Sequence, residues 1–375
     1  MAAQPRIIAL SFFCPFAEHP MPLSIPPITD ILDSTLTRAL QSAIDQKTKP
    51  LGSLGRLERL ALQLGQILRT TAPVLEAPQL VVFAADHGLT ARGISAFPSD
   101  VTWQMVENFL AGGAAVSVFA KQNGLALTVV DCGVKHDFLA GLPEGAQRTG
   151  LQVRKVSGAE AGTADSSVQA AMTVQQCEQA LHQGIALVQG LPGNALLLGE
   201  MGIGNTSAAS LLLARLAHCD IDLCTGAGTG LDAAAVLRKT AVLSEVLERH
   251  ATAVAPLDAL AAFGGFEIAT MVGAILQAAH ERRVIVVDGF IASSAVLVAQ
   301  ALAPYVLQRC VFAHRSGERG HSLMLQHLEA DPLLDWGLRL GEGSGAALVW
   351  PLVQSACTML RDMASFASAG VSEKS

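Results

Sequence analysis

Two carboxylates set among glycines have the most chemistry open to them in this chain. Glu200 lies in Gly199-Glu200-Met201-Gly202-Ile203-Gly204-Asn205-Thr206-Ser207, and Glu342 lies in Leu338-Arg339-Leu340-Gly341-Glu342-Gly343-Ser344-Gly345. The first stretch follows the apolar run 195–198 and precedes Ala208-Ala209-Ser210-Leu211-Leu212-Leu213, which predicts strand, loop and helix. Loops of that kind offer unpaired backbone N–H groups and a helix dipole to an anion such as phosphate. Glu200 then stands beside the anion as an acid or base. Around Glu342 the glycines remove the side chains that would keep a ligand away. It is either a solvent-facing turn residue or a carboxylate able to approach a ring nitrogen directly. A third glycine loop, Thr225-Gly226-Ala227-Gly228-Thr229-Gly230-Leu231-Asp232, leads into a helix carrying Lys239. Lys239 is either a surface charge or the point charge that the first loop lacks.

The first loop departs from both common nucleotide signatures. A phosphate loop of the GxxxxGK[ST] kind needs a lysine where Asn205 stands, which weakens a kinase reading; a dinucleotide loop needs a third glycine where Ser207 stands. His314-Arg315-Ser316-Gly317-Glu318-Arg319-Gly320-His321 invites a metal, but its two histidines are separated by glycines at a spacing unlike a helical ligand pair, and no cysteine completes a set. The expectation is no metal and no cofactor, with Ser316 and Gly317 as further phosphate contacts. Between Ser95 and Met105, Phe97 and Met105 are ordinary core or the wall of a pocket for a flat aromatic ligand.

Positioning these residues requires a sheet. The runs 80–85, 126–130, 195–198, 284–287 and 310–313 are apolar without polar alternation, and helix-length stretches at 101–120, 166–189, 206–217, 233–253, 267–279 and 292–302 separate them. That pattern predicts an α/β fold, a parallel sheet with helices on both faces. Each run ends on polar residues: Asp86-His87-Gly88, Asp131-Cys132-Gly133, Gly199-Glu200, Asp288-Gly289 and His314-Arg315-Ser316. Ligands of parallel α/β sheets bind outside the carboxyl ends of strands, so the five endings point to one shared site. Upstream, the capping residues 29–33 and the apolar positions Ile31, Leu32, Leu36, Leu40 and Ile44 predict a helix, and 57–68 a second one after the turn Lys49-Pro50-Leu51-Gly52-Ser53-Leu54-Gly55-Arg56.

Composition narrows the class. With 51% hydrophobic and 15% charged residues the chain is not disordered, and no run reaches the roughly 18 apolar residues of a membrane span. A net charge of −7 with no basic run excludes a nucleic-acid partner. The seven cysteines are odd in number, scattered and without a CxxC pair, which reads as reduced thiols in a cytoplasmic protein. Residues 1–27 begin with a short apolar stretch that superficially suggests a signal peptide, but Cys14 and Pro15 interrupt it. They are expected to form a flexible extension, with Met21 the more typical start.

Lys49 to Glu58, Ala85-Asp86-His87-Gly88, Gly199 to Thr206, Asp288-Gly289-Phe290, His314-Arg315-Ser316 and Leu340-Gly341-Glu342-Gly343 together resemble the nicotinate-nucleotide:dimethylbenzimidazole phosphoribosyltransferase family, in order from about 28 to 364. The resemblance implies a Rossmann-like parallel sheet at 78–345, a small helical domain built from 28–77 and 346–375, and a homodimer. It implies transfer of the phosphoribosyl group of nicotinate mononucleotide to 5,6-dimethylbenzimidazole, a step in assembling the cobalamin nucleotide loop. By the same resemblance Glu342 is the general base and Glu200 a second active-site carboxylate. Gly202, Ile203, Gly204, Lys239, Ser316 and Arg339 match nucleotide-contacting positions, with Asn205, Thr206, Asp288 and Gly317 counted as substrate-binding beside them. Phe97 and Met105 fall on the benzimidazole pocket. Ala227 stands where the family usually has arginine.

Overall fold

A computed structural model describes residues 23–143, 145–156, 162–228 and 230–372. Six strands, β1 (Gln79–Ala85), β2 (Ala126–Gly133), β3 (Leu151–Val153), β4 (Ala195–Met201), β5 (Val284–Val287) and β6 (Cys310–Phe312), pair in the order β3-β2-β1-β4-β5-β6, every pair parallel. β1, β4 and β5 are buried along their whole length, which accounts for their unbroken apolar runs. Alternate side chains face opposite layers. Val81, Phe83, Leu196, Leu198, Ile285 and Val287 share a core with the helices Val174–Gln189, Phe266–His280 and Phe290–Leu302. Leu80, Val82, Leu197 and Val286 share another with residues of Ser34–Asp45, Arg56–Leu68 and Ser344–Asp362, including Leu40, Leu64 and Trp350. Helices from the two ends of the chain therefore cover one face of the sheet together. Their loops are tied by backbone bonds from Thr48 to Ala364 and from Phe366 to Gln46.

Several boundaries differ from the sequence reading, each for a local reason. The stretch 101–120 is two helices, Val101–Ala111 and Ala115–Gln122, because Gly112 adopts φ 80 and closes the first with a left-handed cap. The helix expected from 166 starts at Val174, where Thr173 and Gln176 form a reciprocal capping box. The first helix starts at Ser34 with Asp33 as its cap, leaving Ile31 buried outside it. β3 is only three residues long and was too short to register as a run. Most consequential for the site, β4 continues past Leu198 to Met201, with Gly199 and Glu200 paired to Val82 and Phe83 of β1. Of the amino-terminal extension, residues 1–22 lie outside the described residues, as does Thr229 of the third glycine loop.

Candidate active site

The strand order turns back between β1 and β4, and a cleft opens at the carboxyl ends there. That is the switch point at which open parallel sheets bind ligands. Glu200, Gly202, Ile203, Gly204, Asn205, Thr206, Lys239, Ser316, Arg339 and Glu342 all line it.

One end of the cleft is made for an anion. The first glycine loop turns into the helix Asn205–Leu216, whose opening residues face the cleft. Lys239 reaches across from the helix Ala233–Arg249 and donates from Nζ to Thr206 Oγ1 at 2.8 Å. Its side chain is almost wholly buried, and burial pulls its pKa down to about 8 against the supporting charge of Glu318. At neutral pH it remains a cation, one that a dianionic ligand would stabilise. Asn205, at the position where a phosphate loop would carry lysine, donates from Nδ2 to Glu200 Oε2 at 2.5 Å. The side chain that breaks the phosphate-loop signature therefore holds a carboxylate.

Glu342 closes the other end. Gly341, Glu342 and Gly343 have φ values of 81, 67 and 87, so the glutamate itself is held in the left-handed region that non-glycine residues avoid. Such a conformation costs on the order of 1–3 kcal/mol and persists only where the surroundings impose it. Here they do. Glu342 N–H points to Glu200 Oε1 at 3.4 Å, and Asp288 accepts from Gly343 N at 3.2 Å and from Ala346 N at 2.9 Å. Asp288, at the end of β5, thus caps the helix Ser344–Asp362 from outside and pins the loop that bears Glu342. His314 Nε2 stands 3.6 Å from the same Asp288 oxygen that accepts from Ala346.

These surroundings set the charge states. Burial, with the nearby charge of Asp288, pushes Glu342 up to about 7, and its Oε2 is buried with no hydrogen-bond partner among the described residues. Burial also pushes Glu200 up to about 8, outweighing the Asn205 amide. At neutral pH the cleft therefore offers one carboxylate poised to take a proton and a second that is mostly a neutral acid. Hydrogen bonding divides their roles: Glu200 is held by the Asn205 amide and the Glu342 N–H, whereas Glu342 Oε2 is left open to a ligand's donor.

The remaining expected residues fall into two groups. Arg339 lines the cleft and Gly317 lies against its side chain, while the Ser316 amide donates to His321 Nδ1 at 2.8 Å. Burial and the neighbouring His314 drive His321 down to about 3, so it stays a neutral acceptor. Its other nitrogen lies 3.1 Å from Ser293 Oγ, so both ring nitrogens are engaged within the fold. Asp288 and Gly317 support the wall without lining it. Phe97 is half exposed, Met105 packs against the core on the terminal-helix side, and neither lines the cleft; Ile94 and Ser95 do. Ala227 of the third glycine loop faces the cleft. Two features escaped the sequence reading. Glu267 pairs with His87 at 2.6 Å beneath Gly202, raising the histidine's pKa although burial opposes the charge, and Glu318 lines the cleft as a third buried carboxylate. Glu267 carried no signal, being one polar residue in an apolar helix; Glu318 was visible two residues after Ser316.

The chain is similar to known proteins along almost its whole length. A family model described as phosphoribosyltransferase matches residues 29–371. The nicotinate-nucleotide–dimethylbenzimidazole phosphoribosyltransferase of Variovorax paradoxus is 68% identical over 351 residues, 94% of this chain and 98% of that protein. The protein of the same name from Dechloromonas aromatica is 55% identical, over 95% of this chain and 99% of its own length. A crystal structure of the enzyme of that name from Thermus thermophilus superposes with a TM-score of 0.84 at 36% identity, covering 92% of this chain and all of the other.

Proposed function

This chain belongs to the nicotinate-nucleotide–dimethylbenzimidazole phosphoribosyltransferase family, and from that membership we propose that it transfers the phosphoribosyl group of nicotinate mononucleotide to 5,6-dimethylbenzimidazole. The products are nicotinate and α-ribazole 5′-phosphate. The observation that carries the chemistry is the pairing, in one cleft, of an anion-holding end at Thr206 and Lys239 with an unpartnered buried carboxylate, Glu342, near neutrality. Glu342 takes the benzimidazole N–H proton as the ring's other nitrogen attacks C1′ of the ribose. Attack opposite the nicotinate inverts the anomeric linkage from β to α. The nicotinyl ring already carries a pyridinium charge and leaves with a neutral ring, so no proton has to be delivered to it. Glu200, mostly protonated at neutral pH, supports the site by hydrogen bonding more than by charge.

Purified protein mixed with both substrates should release nicotinate and ribazole phosphate in equal amounts, followed by chromatography. Binding of the nucleotide without either product would defeat the proposal. Lys239→Met keeps the buried volume and removes the phosphate's counter-charge. It should raise KM for the nucleotide by roughly 10–100-fold with kcat changed far less; an unchanged KM would place the phosphate elsewhere.

The family reading carries a homodimer as well. Sedimentation equilibrium reads the stoichiometry. A cytoplasmic location goes with the six described cysteines, all free thiols. No helix among the described residues is long and apolar enough to cross a membrane.

A further inference from the structure

Glu318 is a buried carboxylate that the transfer chemistry leaves unused. It lines the cleft and is 8% exposed. It stands at the amino-terminal cap of the helix Arg319–His327, yet its side chain makes no capping bond to that helix. Its Oε2 is buried with no hydrogen-bond partner among the described residues. Instead the oxygen lies against Gly226 of the third glycine loop, so close that a β-carbon there would come within 2.3 Å of it. Lys239, close enough for the Glu318 charge to support its own, donates to Thr206 and not to Glu318. A buried acceptor left without a donor is destabilising, and more so when charged. A ligand that supplies a donor would recover that cost.

The chemistry of the ligand says which donor. A carboxylate accepts hydrogen bonds and gives none. The ionised phosphate and the nicotinate carboxylate of the nucleotide are also acceptors only, and the benzimidazole N–H is directed to Glu342. The donors left are the 2′- and 3′-hydroxyls of the ribose, which lies between the phosphate and C1′. We propose that Glu318 binds the ribose, its carboxylate accepting a hydrogen bond from one of these hydroxyls, and that Gly226 is the residue whose missing side chain makes room for it. The inference rests on the phosphoribosyl reading above. It makes Glu318 a determinant of ribose over deoxyribose.

The test compares nicotinate mononucleotide with its 2′-deoxy and 3′-deoxy forms in the native protein, Glu318→Gln, Glu318→Ala and Gly226→Ala. Both kcat/KM and calorimetric Kd are read. In the native protein one deoxy form should lose roughly 10–100-fold, as expected for a hydrogen bond to a charged group. In Glu318→Ala the same deletion should cost less than about 3-fold, because its partner is already gone. Gly226→Ala leaves the carboxylate in place chemically but pushes its oxygen away, and should reproduce that loss of discrimination. If Glu318→Ala weakens all three nucleotides equally, the residue acts only as a counter-charge to Lys239 and the proposal is overturned. Equal use of all three by the native protein overturns it too. Native protein that binds but does not transfer would defeat the transfer reading, while the Kd comparison would still decide the hydroxyl contact. Should Glu318→Ala fail to fold, the near-isosteric Glu318→Gln and Gly226→Ala carry the comparison.

Discussion

Glu342→Gln should lower kcat by roughly 10²–10⁴-fold while the Kd of nicotinate mononucleotide stays within a few-fold, since the substitution removes a base and leaves the anion end intact. The pH dependence identifies the group. In the free protein Glu342 is held up to about 7 and Lys239 down to about 8. Native kcat/KM should therefore rise with pH through about 7 as the base loses its proton. It should fall above about 8 as the lysine loses its charge, a limb on which Glu200 also titrates. Glu342→Gln should flatten the acid limb in whatever activity remains, and Lys239→Arg should move the alkaline limb upward. Stability should change in the opposite sense to activity. A carboxyl raised above its ordinary value of 4.5 contributes stability that is complete below that pH and is lost as pH rises through about 7. At pH 8 the Gln variant should thus be more stable by about 1–3 kcal/mol in denaturant unfolding. A variant turning over near the native rate would remove Glu342 from the role of base. An acid limb that persists unchanged would assign it to another group.

What the sequence makes legible here is local. The glycines around Glu200 and Glu342 mark themselves, because few other residues fit such turns, and polar residues ending apolar runs mark the carboxyl edge of a parallel sheet. Those signals marked Glu200, Glu342, Lys239 and Ser316 as candidates; Arg339, and the joining of all five at one nucleotide site, came from the family resemblance. What sequence physics did not reveal depends on which distant segments meet. Asp288 has the look of a ligand contact, yet its two oxygens are taken by the backbone of Gly343 and Ala346. Asn205 looks like a damaged phosphate loop until its amide is seen on Glu200. Phe97 and Met105 do not line the cleft; of their segment Ser95 does, with Ile94 just before it. The orphaned oxygen of Glu318 cannot be read from composition or spacing, because an unsatisfied group exists only in three dimensions.

Gly199 offers the second large effect, and it comes from a residue that touches no ligand. It lies within β4, paired to Val82 of β1, where any small residue would satisfy the strand. A β-carbon there, however, would come within 2.4 Å of the Glu342 carbonyl oxygen and 2.8 Å of its carbonyl carbon. Both are backbone atoms, so no rotamer change relieves the clash. β4 is central to the sheet and cannot yield, so the loop bearing Glu342 must retreat by about 1 Å, pulling against the bonds that Asp288 makes to it. Displacement of a reacting group by that distance costs about 10²-fold. Gly199→Ala should accordingly lose about 10²-fold or more in kcat and about 1–3 kcal/mol in stability, with nucleotide binding at Thr206 and Lys239 largely kept. The double variant with Glu342→Gln separates this mechanism from general disruption of the sheet. If Gly199 acts by placing Glu342, the pair should be hardly slower than Glu342→Gln alone, because the second change misplaces a base that is already absent. Multiplicative losses in the double variant would mean that Gly199 supports the cleft by some route other than Glu342.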